Sequence, residues 1–244
     1  MFRTLFAAAA ISVISLTAHA AGMDHFNRGF KASADKKPDV AIASYTLAIK
    51  SNDLDQQTLA KAYNNRGLAF YRENKFHAAV ADFDRALAIR PANPVALNNR
   101  GLAFRSLDRK QNALSDFKTA LKFDPNYTFA MSNHGKLLHE MGRPGEAIAQ
   151  FDKLLAVDPD YAYAYAYKNR GKALRALGRM DEALVDFNKL VEMKPNYAFG
   201  YMYRGLTYKA LGIEKAARSD LRVAGDLRPK SKRIRAEMSK LGLN

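Results

Sequence analysis

The chain has 244 residues, with 39 Lys and Arg against 24 Asp and Glu, a net charge of +15 at pH 7, and neither Cys nor Trp. Without cysteine there is no disulfide framework, thiolate zinc site or cysteine nucleophile, and 48% hydrophobic with 26% charged residues is a globular balance rather than a disordered one. The basic surplus points to anionic partners without choosing among acidic peptides, phosphates, lipid headgroups and nucleic acid.

Residues 1–20 have the layout of a cleavable secretory signal. Arg3 precedes an apolar stretch from Leu5 to Leu16, and Ala18-His19-Ala20 gives the small-x-small pattern before Ala21. The stretch is too short to span a hydrocarbon core, which needs about 20 residues. No cysteine stands at the cleavage point to carry a lipid. The expectation is an exported chain, soluble once the signal is removed.

After the signal a repeat organises the chain. Asn-Arg-Gly or a variant recurs at Asn27-Arg28-Gly29, Asn65-Arg66-Gly67, Asn99-Arg100-Gly101, Asn133-His134-Gly135, Asn169-Arg170-Gly171 and Tyr203-Arg204-Gly205. The glycine intervals are 38, 34, 34, 36 and 34. Twelve residues after each Gly stands Ala41, Ala79, Ala113, Ala147, Ala183 or Ala217; sixteen after, Tyr45, Phe83, Phe117, Phe151, Phe187 or Leu221. Pro91, Pro125, Pro159, Pro195 and Pro229 follow 24 residues after the last five glycines. Each period splits into two apolar-periodic stretches of helical length, with Asn74, Asp108, Gly142, Gly178 or Gly212 between them, residues that tolerate the left-handed conformation ending a helix. Proline closes the second stretch.

This pattern resembles the tetratricopeptide repeat (TPR) family over about residues 22–231. The resemblance implies an all-α solenoid of helix-turn-helix units, a right-handed superhelix, with six repeats near 22–55, 60–93, 94–127, 128–161, 164–197 and 198–231. One helix pair cannot cover its own apolar face, so neighbours must stack. Two insertions depart from the period: four residues around Asp53–Gln56, and two within the Tyr-Ala run from Tyr161 to Tyr167. Both are read as lengthening a turn or the start of the next helix. Residues 232–244 form a capping helix, with Ile234, Met238 and Leu241 on one face and Lys230, Lys232, Arg233, Arg235 and Lys240 elsewhere.

The recurring Arg is assigned to structure. Asp82, Asp116, Asp186 and Asp220 stand sixteen residues after Arg66, Arg100, Arg170 and Arg204, and both partners change together in the fourth repeat, to His134 and Gln150. This spacing predicts an Arg–Asp contact between the helices of a unit, half-exposed and contributing about 0–1 kcal/mol.

By resemblance to TPR proteins, positions near −3, −2, +1 and +4 from each Gly line the concave groove. In repeats 1–3 these include Phe26, Phe30, Asn64, Leu68, Asn98 and Leu102, with Asn65 and Asn99 in an amide ladder continued by Asn133 and Asn169. Later the face turns basic, with Lys136, Lys168, Lys172 and Arg175, flanked by Arg105 and Lys209. Amides can pair with a peptide backbone and lysines supply point charges for carboxylates. The pattern is similar in part to carboxylate-clamp repeats that hold acidic C-termini. The expected partner is therefore a protein or peptide with an acidic segment or free C-terminal carboxylate.

Catalysis has no support. His134 and His139 stand five apart, a poor fit to metal ligation on one helix face, and no phosphate loop or nucleophile elbow is present, so neither cofactor nor metal is expected. By resemblance to exported bacterial repeat proteins, the expectation is a periplasmic scaffold or adaptor in cell-envelope assembly or maintenance. The alternative is a basic surface that binds anionic envelope polymer or lipid, with membrane contact through residues 228–240. Nucleic acid is disfavoured by the export signal and by the lack of a nucleic-acid module.

Overall fold

The computed structural model describes residues 21–157 and 164–243. The signal and residues 161–163 of the Tyr-Ala run lie outside the described residues. Thirteen helices are present among those described: α1 (21–34), α2 (Pro38–Lys50), α3 (Gln56–Arg72), α4 (Phe76–Ile89), α5 (Pro94–Ser106), α6 (Lys110–Phe123), α7 (Thr128–Glu140), α8 (Pro144–Val157), α9 (Ala164–Ala176), α10 (Met180–Met193), α11 (Ala198–Ala210), α12 (Glu214–Leu227) and α13 (Lys232–Ser239). No strand is found among the described residues. The chain is an all-α solenoid of consecutive helix pairs. It divides into two compact units, one ending at Ala130 and one beginning at Met131.

Helix boundaries follow local chemistry. Asp55 accepts from the Thr58 N–H at 2.9 Å and Asn93 from the Ala96 N–H at 3.2 Å, capping α3 and α5. Pro38 and Pro94 open α2 and α5, where the missing N–H has no intrahelical acceptor to lose. Between the two helices of each pair the backbone is left-handed, at Lys36, Asn74, Asp108, Gly142, Gly178 and Gly212, with φ from 56° to 75°. The insertion around Asp53–Gln56 lengthens both the turn and the next helix: α3 has 17 residues where α5, α7, α9 and α11 have 13.

The glycine and aromatic positions form the contact within each pair. Phe83, Phe117, Phe151 and Phe187 have no exposed surface. A Cβ at Gly67, Gly101, Gly135 or Gly171 would stand 2.7–2.8 Å from the ring of the same repeat's Phe. Only hydrogen fits there, and each buried ring contributes about 1.5–3 kcal/mol of transfer free energy. Small residues let successive pairs stack: in the first unit Ala86 and Leu87 of α4 pack with Ala96 and Leu97 of α5, Ala120 of α6 and Ala130 of α7.

The predicted Arg–Asp contacts are present and more buried than the half-exposed pairs expected. Arg66, Arg100, Arg170 and Arg204 each grip Asp82, Asp116, Asp186 or Asp220 through Nε and Nη2 at 2.7–2.9 Å, and the Asp82 and Asp186 side chains are 1% exposed. The second Nη of each arginine donates to the preceding repeat: Thr46 at 3.0 Å, Asp84 at 2.6 Å, Asp152 at 2.6 Å and Asn188 at 3.1 Å. The arginine therefore joins helices within a pair and pairs to each other. Burial lifts the Asp186 carboxyl above its usual range despite the opposing bonds from Arg170.

Candidate functional site

The faces built by the first helices differ in chemistry between the two units. In the first unit the amide ladder is largely closed on itself. Asn98 donates to Asn99 at 3.5 Å, Asn99 to Asn64 at 3.1 Å and Asn64 to Asn65 at 3.2 Å. Asn98 is buried, and a buried amide must find a partner. Asn65 and Asn99 thus belong to a network linking α3 to α5. Phe26 is likewise packed against Tyr45, ring centroids 5.7 Å apart, and joins the core of α1 and α2. Phe30 stays 63% exposed and, with Tyr45, Asn65, Leu68 and Arg72, lines a shallow cavity of about 250 Å³. Arg105, in the last turn of α5, is half-buried. A cavity of about 550 Å³ lies among Ser33, Lys36, Pro38, Ala69 and Arg72 of this unit and includes none of the basic residues predicted for the binding face.

In the second unit the basic residues converge. Lys168, Lys172 and Arg175 stand at i, i+4 and i+7 on α9, along one helix face, and Lys136 faces them from α7. Partial burial holds the Lys168 ammonium down to about 8, with repulsion from Lys136 and Lys172 adding to the effect. Lys172 is lowered by burial and by Arg233, partly offset by Glu140. Burial also lowers Arg175, against the pull of Tyr203 and Glu237, and lowers His139, helped by Lys172 and opposed by Glu140.

Aromatic rings hold the cations in place. Lys168 Nζ lies 4.6 Å from the Tyr165 ring centroid and 5.9 Å from that of Tyr197. The Arg233 guanidinium lies 5.4 Å from the Tyr203 ring and that of Arg228 5.6 Å from the Phe199 ring. Such contacts fix a cation's position without neutralising it. Among the described residues, none of Lys168, Lys172, Arg228 and Arg233 forms an ion pair. Two buried donors lie beneath the face without a partner. Asn169 is 9% exposed and its Nδ2 has no hydrogen-bond partner, nor does the buried Nε of Arg175. Asn133, on α7, is half-buried, and Lys209, in the last turn of α11, is exposed. The arrangement is a cationic face, with more donors than acceptors, suited to an anionic ligand rich in acceptors. No group of three or more His, Cys, Asp or Glu among the described residues is placed to hold a metal.

Sequence profiles described as tetratricopeptide repeat match residues 60–93, 94–127 and 133–198, together more than half of the chain. The chain belongs to the tetratricopeptide repeat family. A search of the curated proteins found no match. Among solved structures, a TPR protein from Parabacteroides merdae is 21% identical with a TM-score of 0.71, covering 92% of this chain and 90% of its own. YrrB, described as a TPR protein with an unusual peptide-binding site, is 23% identical with a TM-score of 0.64, covering 80% and 97%. MamA is 21% identical with a TM-score of 0.62, covering 67% and 95%. At these identities the likeness shows the fold alone.

Within this TPR array the C-terminal helix has a role that its sequence pattern did not reveal. The helix spans Lys232–Ser239 and stops short of the expected 232–244, so Ile234 is buried on it while Leu241 is buried just beyond its end. Arg233 was placed on the outer surface of the cap, yet it lies over Tyr203 and beside Lys172, so it belongs with the basic face. The packing explains this. At Gly225 a Cβ would meet Met238 Sδ at 2.6 Å, so the glycine admits the cap closely onto α12. The positions twenty residues after Gly67, Gly101, Gly135 and Gly171 hold Leu87, Leu121, Leu155 and Val191, whereas the last repeat holds Gly225. That change to the smallest residue was the readable signal.

Proposed function

We propose that this TPR protein is a scaffold that holds a protein partner by an acidic segment, or by a free C-terminal carboxylate, on the first-helix face of its second unit. TPR proteins bind protein or peptide partners, and the family is generally made of non-catalytic scaffolds. The observation that carries the finer reading is the positive charge of Lys168 and Lys172 on one face of α9, with Lys168 held over the Tyr165 and Tyr197 rings rather than by a carboxylate. The lysines supply the charge that fixes an acidic side chain or terminus.

Its proposed setting is the bacterial periplasm, reached through the signal at residues 1–20, with a part in envelope assembly or maintenance. No helix among the described residues is long and apolar enough to cross a membrane.

The test is capture of a partner from envelope extract by the full chain, followed by titration of an acidic peptide from that partner. Lys168→Ala with Lys172→Ala is expected to weaken peptide binding by tenfold or more, on the order of 1.5–3 kcal/mol for each charge-assisted bond lost. The thermal midpoint should stay within a few degrees. Retention of anionic vesicles or polymer by both wild type and variant, with no discrete protein captured, would replace this reading with surface binding.

A further inference from the structure

We propose that the basic face of the second unit contains a subsite for a phosphoryl group carried by the peptide ligand, completed by Arg233 from the C-terminal helix. The inference rests on the assignment of this face to ligand binding and names the chemistry that it selects.

The argument begins with charge. Lys136, Lys168, Lys172 and Arg233 come from three helices and act electrostatically on one another in sequence: Lys136 and Lys172 on Lys168, and Arg233 on Lys172. Carboxylates that act on the cluster include Glu140, on Lys172 and His139, and Glu237, on Arg175. Glu237 is already held by Lys240 at 3.0 Å. A single carboxylate on a ligand brings one negative charge to this surplus. A phosphate monoester brings about −1.5 to −2 on one centre, with three strong acceptor oxygens.

Donor geometry points the same way. Lysines act on phosphate as point charges, while arginine offers a planar fork. Lys168 on Tyr165 and Tyr197, and Arg233 on Tyr203, are each positioned by a ring that leaves their N–H groups free to donate. Asn169, nine-tenths buried, lies on the same helix with its Nδ2 buried and without a partner beneath these cations. No acceptor on the ligand's counter-face is needed, and a fully deprotonated phosphoryl group offers only acceptors.

The site should have a pH signature with two separable limbs. A phosphomonoester loses its second charge below about pH 6. Lys168, which faces Lys136, Lys172, Tyr165 and Tyr197, loses its charge above about 8. Affinity for a monoester should therefore peak between these values. Sulfate, a dianion throughout this range, should show the alkaline limb alone.

The experiment is calorimetric titration of the full chain with methyl phosphate, sulfate and acetate at constant ionic strength, from pH 5 to pH 9. The expected result is saturable methyl phosphate binding, at least about tenfold tighter than acetate, with a maximum between the two limbs. Lys168→Gln and Arg233→Gln should each weaken it about tenfold. Lys168→Arg should keep binding and lose the alkaline limb, which shows that the loss in Lys168→Gln is not misfolding. A phosphoserine version of an acidic peptide should bind more tightly than the unmodified peptide by a similar factor. Equal affinity for methyl phosphate and acetate, or insensitivity to both substitutions, overturns the proposal. If the unmodified acidic peptide still binds under those conditions, only the phosphoryl subsite is lost; if it also fails, the peptide-binding reading falls with it.

Discussion

At the scale of single residues, the arginine before each repeat glycine shows how far a spacing can be read. The sixteen-residue offset to aspartate, broken at both ends in the fourth repeat, identified the pair within each unit. It could not identify the third member, because the contact to the preceding repeat changes register with each insertion: Arg66 reaches back 20 residues, Arg100 16 and Arg170 18. Burial separates the two aspartates of Arg170 energetically. Asp186 is buried while Asp152 is 54% exposed. Removing the buried partner leaves a charge poorly compensated, at a cost of about 3 kcal/mol, whereas the exposed one contributes about 0–1 kcal/mol. Asp186→Ala should therefore lower the urea midpoint clearly and Asp152→Ala hardly at all. Equal shifts in the two variants would show that the burial argument is misplaced. The same limit applied to the site. Lys136, Lys168 and Lys172 were legible from their offsets to the repeat glycines on α7 and α9, but Arg233 was not, because its direction depends on how α13 seats against Gly225.

At the scale of helices and turns, glycine serves two purposes that substitutions can separate. Gly101 is a contact glycine: a Cβ there would meet the Phe117 ring at 2.7 Å. Gly178 is a conformational glycine, with φ of 75° and nothing within 4 Å of an added Cβ. Gly101→Leu should overpack the pair and cost roughly 1–3 kcal/mol. Gly178→Ala should cost about 1–2 kcal/mol for the left-handed backbone alone. Gly178→Asn should recover most of that loss, since Asn74 and Asp108 hold the equivalent turns at φ of 57° and 56°. Thermal melts followed by circular dichroism check both; an Asn variant no better than the Ala variant would contradict the conformational account. Most of this level was visible in the sequence, since periodicity, turn residues and closing prolines each have a local cause. The self-pairing of the Asn64, Asn65, Asn98 and Asn99 amides was not visible, because neighbouring helices must first be in place before their side chains can meet.

At the scale of the whole molecule, a net charge of +15 works against compaction, and part of that cost is concentrated at Lys168 and Lys172. Both are half-buried among like charges, so folding disfavours their protonated forms. The consequence for stability has a definite sign. Between about pH 8, where folded Lys168 loses its proton, and the ordinary lysine value of 10.5, the unfolded chain binds more protons than the folded one. Stability from this group therefore rises with pH across that window, being penalised below it and relieved above it. The tyrosines oppose this at the upper end, because burial raises Tyr197 and Tyr127 and keeps them protonated in the folded chain. The useful comparison is therefore between wild type and Lys168→Met, with urea midpoints measured from pH 7 to pH 9.5. Lys168→Met removes the buried charge and keeps the apolar stem over Tyr165, so it should be the more stable of the two at pH 7. Its advantage should shrink as pH passes about 8. An advantage that is constant over the whole range would mean that Lys168 is fully solvated in the folded protein, and the case for a charged, ligand-ready face would lose its electrostatic support.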